Sequence, residues 1–174
     1  MTTMKKKVKY LIIICSFVAG MSLLPWDSHA QTNELGVRFG GTSGLTLRHY
    51  TSNTRSIEGI LGFYGNGFSV TALFERHHSA FDVQGLQWYY GPGVHVAYYQ
   101  TGRPSSSFRD TGYRNNEALG FAVNGIVGLE YRLPDNVPIA FSIDLKPFLE
   151  IDTNGDAAVA IDPGLGIRVY LNQN

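Results

Sequence analysis

One alternation constrains this chain more than any other feature. In Pro138–Lys146, PIAFSIDLK, the residues Ile139, Phe141, Ile143 and Leu145 alternate with Ala140, Ser142, Asp144 and Lys146. A side-chain period of two belongs to a β-strand, whose successive residues point to opposite faces. The same period recurs in ELGVRFG, GLTLRHY, SIEGILGFY, FSVTALFERH, LQWYYGPGVHVAYY, ALGFAVNGIVGLEYRL and DAAVAIDPGLGIRVYL. With PIAFSIDLKPFLEI that makes eight predicted strands, separated by turn-forming clusters such as GTSG and Gly65-Asn66-Gly67. No amphipathic helical segment of any length interrupts them.

The strands follow a leader of different character. MTTMKKKVKY places four lysines ahead of the apolar run LIIICSFVAGMSLL, and Ser28-His29-Ala30 offers the small-x-small pattern of a signal-peptidase site. The apolar run stops at Pro25, short of the roughly 20 residues a spanning helix needs. Residues 1–30 are therefore expected to be a cleaved secretion signal, with residues 31–174 as one barrel domain. Cys15 follows Ile14, which argues against lipidation, and Gln31–Asn174 has no cysteine to form a disulfide. Of 14 basic and 14 acidic residues, four lysines and Asp27 lie in the leader, leaving ten against thirteen. That balance argues against nucleic-acid binding.

The two faces of the strands decide the compartment. The polar face reads Asp162, Gly164, Gly166, Arg168, Tyr170 in the last run and Ala122, Asn124, Ile126, Gly128, Glu130, Arg132 in the sixth. A soluble surface is about a quarter to a third long charged side chains. Here it would be mostly glycine, alanine and tyrosine, with Lys146 the single lysine after the leader. A narrow lumen suits the pattern better, because an eight-stranded barrel has an interior just wide enough to be filled by side chains. The inward set would be Glu34, Glu58, Glu75, Glu130, Asp144 and Asp162 against Arg38, Arg48, Arg132, Lys146 and Arg168. Near-balance is what a desolvated ionic network requires, and guanidinium forks pair carboxylates in bidentate fashion. The other face, Phe121, Val123, Gly125, Val127, Leu129, Tyr131 and Ile161, Leu165, Ile167, Val169, Leu171, carries no charge, as lipid contact demands. Trp88, Tyr90, Tyr98 and Tyr131 fall near strand ends, where interfacial aromatic girdles form.

The fold class expected is all-β: an eight-stranded antiparallel up-and-down transmembrane barrel, closed so that no backbone edge meets hydrocarbon. By parity both termini lie in the periplasm. Gly40–Gly44, Gly65–Gly67, Gln100–Glu117 and Asp152–Asp156 become outward loops, and Thr51–Arg55, His78–Gly85 and Pro134–Val137 periplasmic turns. The stretch HSAFDVQG is long for such a turn. Pro92, Pro147 and Pro163 inside strands imply bulges or rim positions, since each removes a ladder donor.

The chain resembles the small eight-stranded outer-membrane barrels without an open channel, over essentially Gln31–Leu171. LQWYYGPGVHVAYY, FSIDLKPFLEI and DPGLGIRVYL carry the likeness most distinctly. The resemblance implies residence in the bacterial outer membrane, a structural or surface-interaction role and no enzymatic activity. Its implied partners are outer-membrane lipid and the barrel-insertion machinery. That machinery usually reads a terminal aromatic residue; here Tyr170-Leu171 is followed by Asn172-Gln173-Asn174. Arg103, Arg109 and Arg114 in the long loop are candidates for contacts to lipopolysaccharide phosphates.

Few residues suggest other chemistry. His77-His78-Ser79 resembles the His-x-Ser arrangement of outer-membrane lipid A deacylases, with histidine as base and serine as nucleophile. The asparagine that follows in that family is Ala80 here, and no orienting carboxylate stands at a suitable spacing, so a polar strand end is the preferred reading. Asp152-Thr153-Asn154-Gly155-Asp156 alternates oxygen donors as a calcium loop does, but its glycine comes early and Asn-Gly is a hairpin dipeptide. His95 is expected to join Tyr89, Gly91, Gly93 and Tyr99 in the lumen and not to hold a metal. No cofactor is implied. Two alternatives stay open beside the non-enzymatic barrel: a lipid-modifying outer-membrane enzyme, and a periplasmic lipocalin-like carrier of an apolar small molecule.

Overall fold

The computed structural model describes residues 33–64, 67–100, 117–134, 137–153, 155 and 157–171. The leader, the long loop with Arg103, Arg109 and Arg114, most of the Gly65–Gly67 turn and the last three residues lie outside them. Eight strands follow in order: β1 (Asn33–Gly40), β2 (Ser43–Ser52), β3 (Arg55–Tyr64), β4 (Gly67–Ser79), β5 (Leu86–Tyr99), β6 (Ala118–Arg132), β7 (Ile139–Asp152) and β8 (Ala157–Tyr170). Each pairs antiparallel with its sequence neighbours, and β1 closes onto β8 through Glu34↔Tyr170 to Gly40↔Gly164. The sheet is a closed barrel with no free edge. Its strands coincide with the alternating runs of the sequence.

Alternation assigns the faces. On β7, Ala140, Ser142, Asp144, Lys146 and Glu150 are buried while Phe141, Ile143, Leu145, Leu149 and Ile151 are exposed. On β8, Asp162 and Arg168 are buried, whereas Ile161 is 58 % and Leu165 57 % exposed. A water-soluble domain would bury those apolar groups at about 1.5–3 kcal/mol each. On these two strands the apolar groups stay outside and the charges are sealed within. A small apolar layer also sits inside, formed by Ile60, Leu73, Tyr89 and Ile126.

The barrel is narrow enough that facing side chains compete for space. A Cβ on Gly128 would come within 2.6 Å of the Tyr89 hydroxyl, and one on Gly164 would collide with the Arg38 guanidinium. Glycine at these two positions admits the ring and the charged fork beneath them.

The prolines correct a sequence expectation. Pro92 and Pro147 stand neither at bulges nor at rims: the β4–β5 register is the same on both sides of Pro92, and the β6–β7 register on both sides of Pro147. Both ladders merely skip bridges beside the proline, while the other flank stays paired, as in Pro92↔Gly125 and Pro147↔Ile161. A strand residue sends its N–H to one neighbour, so the missing donor is felt on one side only. Pro163 lies level with the end of the short β1, where its carbonyl accepts from the Gly41 N–H. The long β4–β5 connection also shrinks, because β4 runs on to Ser79. Its turn is Ala80–Val83, closed by the Val83 N–H to the Ala80 carbonyl, with Phe81 and Asp82 both at φ 54°. Two consecutive left-handed residues make the primed turn that suits the twist of a hairpin.

Candidate functional site: the sealed polar lumen

The period-two alternation of β1, β2 and β3 places Glu34, Arg48 and Glu58 side by side across three strands, through Glu34↔Arg48 and Arg48↔Glu58. Arg48 is fully buried. Its guanidinium reaches Glu34 at 3.4 Å, Glu58 at 3.0 Å and Glu75 at 2.9 Å, and it also pairs with Glu130 on the far wall. Arg168 crosses the lumen to Glu58 at 2.8 Å and touches Glu130 at 3.3 Å and the Ser142 hydroxyl at 2.8 Å. Arg132 stands at the mouth, its side chain 29 % exposed, and joins Glu34 at 3.3 Å and Glu130 at 3.2 Å. Its guanidinium also lies over the rings of Tyr50 and Tyr170, each 5.2 Å away.

A second group occupies the β1–β7–β8 wall. Arg38 donates to Asp144 at 2.7 Å and Asp162 at 3.1 Å, and Lys146 lies 3.3 Å from Asp162, its cross-strand partner. Arg38 also donates to the Thr42 carbonyl, and Asp162 accepts from the Thr42 N–H at 3.0 Å, so one threonine ties the group to the β1–β2 turn. Tyr89 links the two groups: Arg48 lies 4.9 Å from its ring centroid, and its hydroxyl donates to Asp144 at 3.4 Å.

Toward the opposite end the chemistry is lighter. His95 contacts Glu150 at 2.7 Å through Nε2 and Asn124 at 2.9 Å through Nδ1, and the Tyr99 hydroxyl donates to the same carboxylate at 3.0 Å. Phe148 packs against the His95 ring at 5.3 Å.

All eleven residues assigned to the lumen from the alternation line this interior, and each makes at least one ion pair there. Sequence reasoning passed over Glu150, although it continues the parity of Asp144 and Lys146; the inward Phe148 between them breaks the polar run. It also missed Tyr50 and the contact of Ser56 with His77, whose Nε2 lies 2.8 Å from the Ser56 hydroxyl. That hydroxyl donates to Glu75 at 3.0 Å. Serine, histidine and glutamate thus meet, but the carboxylate approaches the same Nε2, at 3.5 Å, that faces the serine, Nδ1 has no hydrogen-bond partner among the described residues, and all three residues are buried. Within His77-His78-Ser79, His77 points inward, His78 outward, and Ser79 is exposed at the end of β4. Gly155, at φ 84° with its N–H on the Asp152 carbonyl, has the geometry of a turn.

The chain is a closed, eight-stranded, all-antiparallel barrel, and that fold is found in an outer-membrane protein domain. The N-terminal β-barrel domain of Pseudomonas aeruginosa OprF has this architecture: it aligns with 81 % of this chain and 96 % of its own, at a TM-score of 0.55 and 16 % identity. No family model and no curated protein sequence matches the chain. The likeness is therefore one of fold.

Proposed function

We propose that this protein is a non-enzymatic integral barrel of the bacterial outer membrane, exported by its leader and inserted by the barrel-insertion machinery. One observation carries the reading. The outward residues of β5 to β8 are uncharged over the whole length of the strands, while every charge on those strands lies within. Hydrocarbon accepts such a face and water does not. The ionic lumen then acts as a stiffener and plug, and the function is structural or one of surface interaction.

By parity, the end with Gly40–Gly44, Gln100–Glu117 and Asp152–Asp156 faces outward. Arg103, Arg109 and Arg114, which lie outside the described residues, would meet lipopolysaccharide phosphates there, as guanidinium forks suit phosphate oxygens. A carrier of apolar molecules would need the reverse distribution of side chains. A lipid-modifying activity would need an accessible nucleophile, and Ser79→Ala is expected to leave the lipid profile of cells unchanged.

The test combines extraction and migration. The protein should stay in membranes through salt and carbonate washes, leave them in detergent, and migrate faster unheated than boiled. Protease added to intact cells should cut within residues 101–116. Release by salt alone, with no heat-dependent migration, would overturn the reading.

A further inference from the structure

Among the described strand residues, two charged side chains point outward: Arg55 and Arg76. They are direct cross-strand partners on β3 and β4. Both are exposed, and neither makes an ion pair among the described residues. Like charges opposite each other on one sheet face repel and destabilise the pairing. An anion held between the two guanidinium groups reverses that sign, and phosphate oxygens match their forks best.

The surroundings say which phosphate. Toward the middle of the barrel the next outward pairs are Ile57↔Phe74, Gly59↔Ala72 and Leu61↔Val70, an apolar track. On the other side Arg76 faces Tyr90, and the next pair toward the rim is His78↔Trp88. The rings of His78, Trp88 and Tyr90 stack with centroids 5.0–5.9 Å apart. An aromatic row of this kind marks headgroup depth. The two arginines therefore stand where apolar track meets aromatic row, and His78 adds a donor beside them. At the same end of the other strands the outward residues are Tyr131, Phe141, Val169 and Leu35, together with His49 on β2, whose ring lies 2.7 Å from the Asn33 side chain. Among the described strand residues, outward arginine is confined to β3–β4.

We propose that Arg55, Arg76 and His78 form a site for the phosphodiester of an anionic membrane phospholipid, in the leaflet at the β2–β3 turn end of the barrel. The acyl chains lie along the apolar track below. A free anion would leave that track unused, so the lipid-borne phosphate is the occupant. The inference rests on the membrane-embedded reading given above.

The experiment titrates phosphatidylglycerol into phosphatidylcholine nanodiscs holding the full chain, with native mass spectrometry counting retained lipid. The wild type is expected to retain phosphatidylglycerol over phosphatidylcholine. The double variant R55Q/R76Q should bind it about tenfold to a hundredfold more weakly, since removing one charge-assisted hydrogen bond weakens binding by roughly a factor of ten. R55K/R76K, which keeps charge but loses the fork, should fall between. Heat-dependent migration of each sample reports barrel closure separately. If the double variant does not close, the single R55Q, at the first residue of β3, carries the same comparison. Equal retention by variant and wild type, or preference of the wild type for lipid A over phosphatidylglycerol, overturns the site. A wild type that inserts and migrates as a barrel yet shows no lipid preference overturns the site alone. One that does neither overturns the membrane reading and the site with it.

Discussion

At one end of the lumen three arginines, Arg48, Arg132 and Arg168, hold four glutamates, Glu34, Glu58, Glu75 and Glu130. Toward the other, His95, Asn124 and Tyr99 gather around Glu150. Both clusters are buried, yet they face different physics. In the first, each charge other than Arg132 at the mouth was desolvated at a cost repaid only by the partners in place, so none of those buried members is expendable. In the second, most members are neutral, and losing one leaves an unmet hydrogen bond instead of an unmet charge. The arginine end should therefore govern barrel stability and the histidine end should only trim it.

The comparison breaks most readily at Arg48. Arg48→Met withdraws a guanidinium that four carboxylates share, leaves Glu75 with no arginine partner among the described residues, and should destabilise the barrel by about 3–5 kcal/mol, the usual cost of breaking a buried pair. Denaturant titration of the heat-modifiable form in lipid vesicles would measure it; a loss no larger than that at Glu150 would remove the distinction between the ends. Glu150→Leu should cost about 1–3 kcal/mol, as expected for stranded neutral donors, read by the same titration. Combining Arg48→Met with Glu75→Leu removes one abandoned carboxylate, and the double variant should recover about 1 kcal/mol over the additive sum. Strict additivity in that double-mutant cycle would argue that the two side chains are not coupled. Arg132→Gln should have the smallest effect, about 1 kcal/mol or less, because its partly exposed side chain is screened by water at the mouth. A larger loss would mean that the mouth is drier than its exposure indicates.

How much of this was legible beforehand differs from residue to residue. Glu34, Arg48 and Glu58 are neighbours on three consecutive strands, and the short β1–β2 and β2–β3 turns set their registers, so both parity and adjacency follow from the chain. Lys146 and Asp162 face each other across a hairpin for the same reason. Arg48 with Glu130, and Arg168 with Glu58, are different: these pairs meet across the lumen, 82 and 110 residues apart in sequence. Pro92 and Pro147 suggested breaks that the ladder absorbs on one flank. His77 was read with His78 and Ser79 as a polar strand end, and its contact with Ser56 emerges only once β3 and β4 are paired. Arg55 and Arg76 were easily passed over, since parity sets them among apolar neighbours on the wrong side of the wall.

The sequence by itself determined which side chains share a face, because tetrahedral carbon and the pleat make that a strictly local matter of odd and even positions. It also determined the number of strands, through its turn-forming clusters. Only the tertiary structure decided which charges touch, since contact across the interior depends on how far the strands are staggered when β1 meets β8. That stagger belongs to the closed ring as a whole and is written in no single segment.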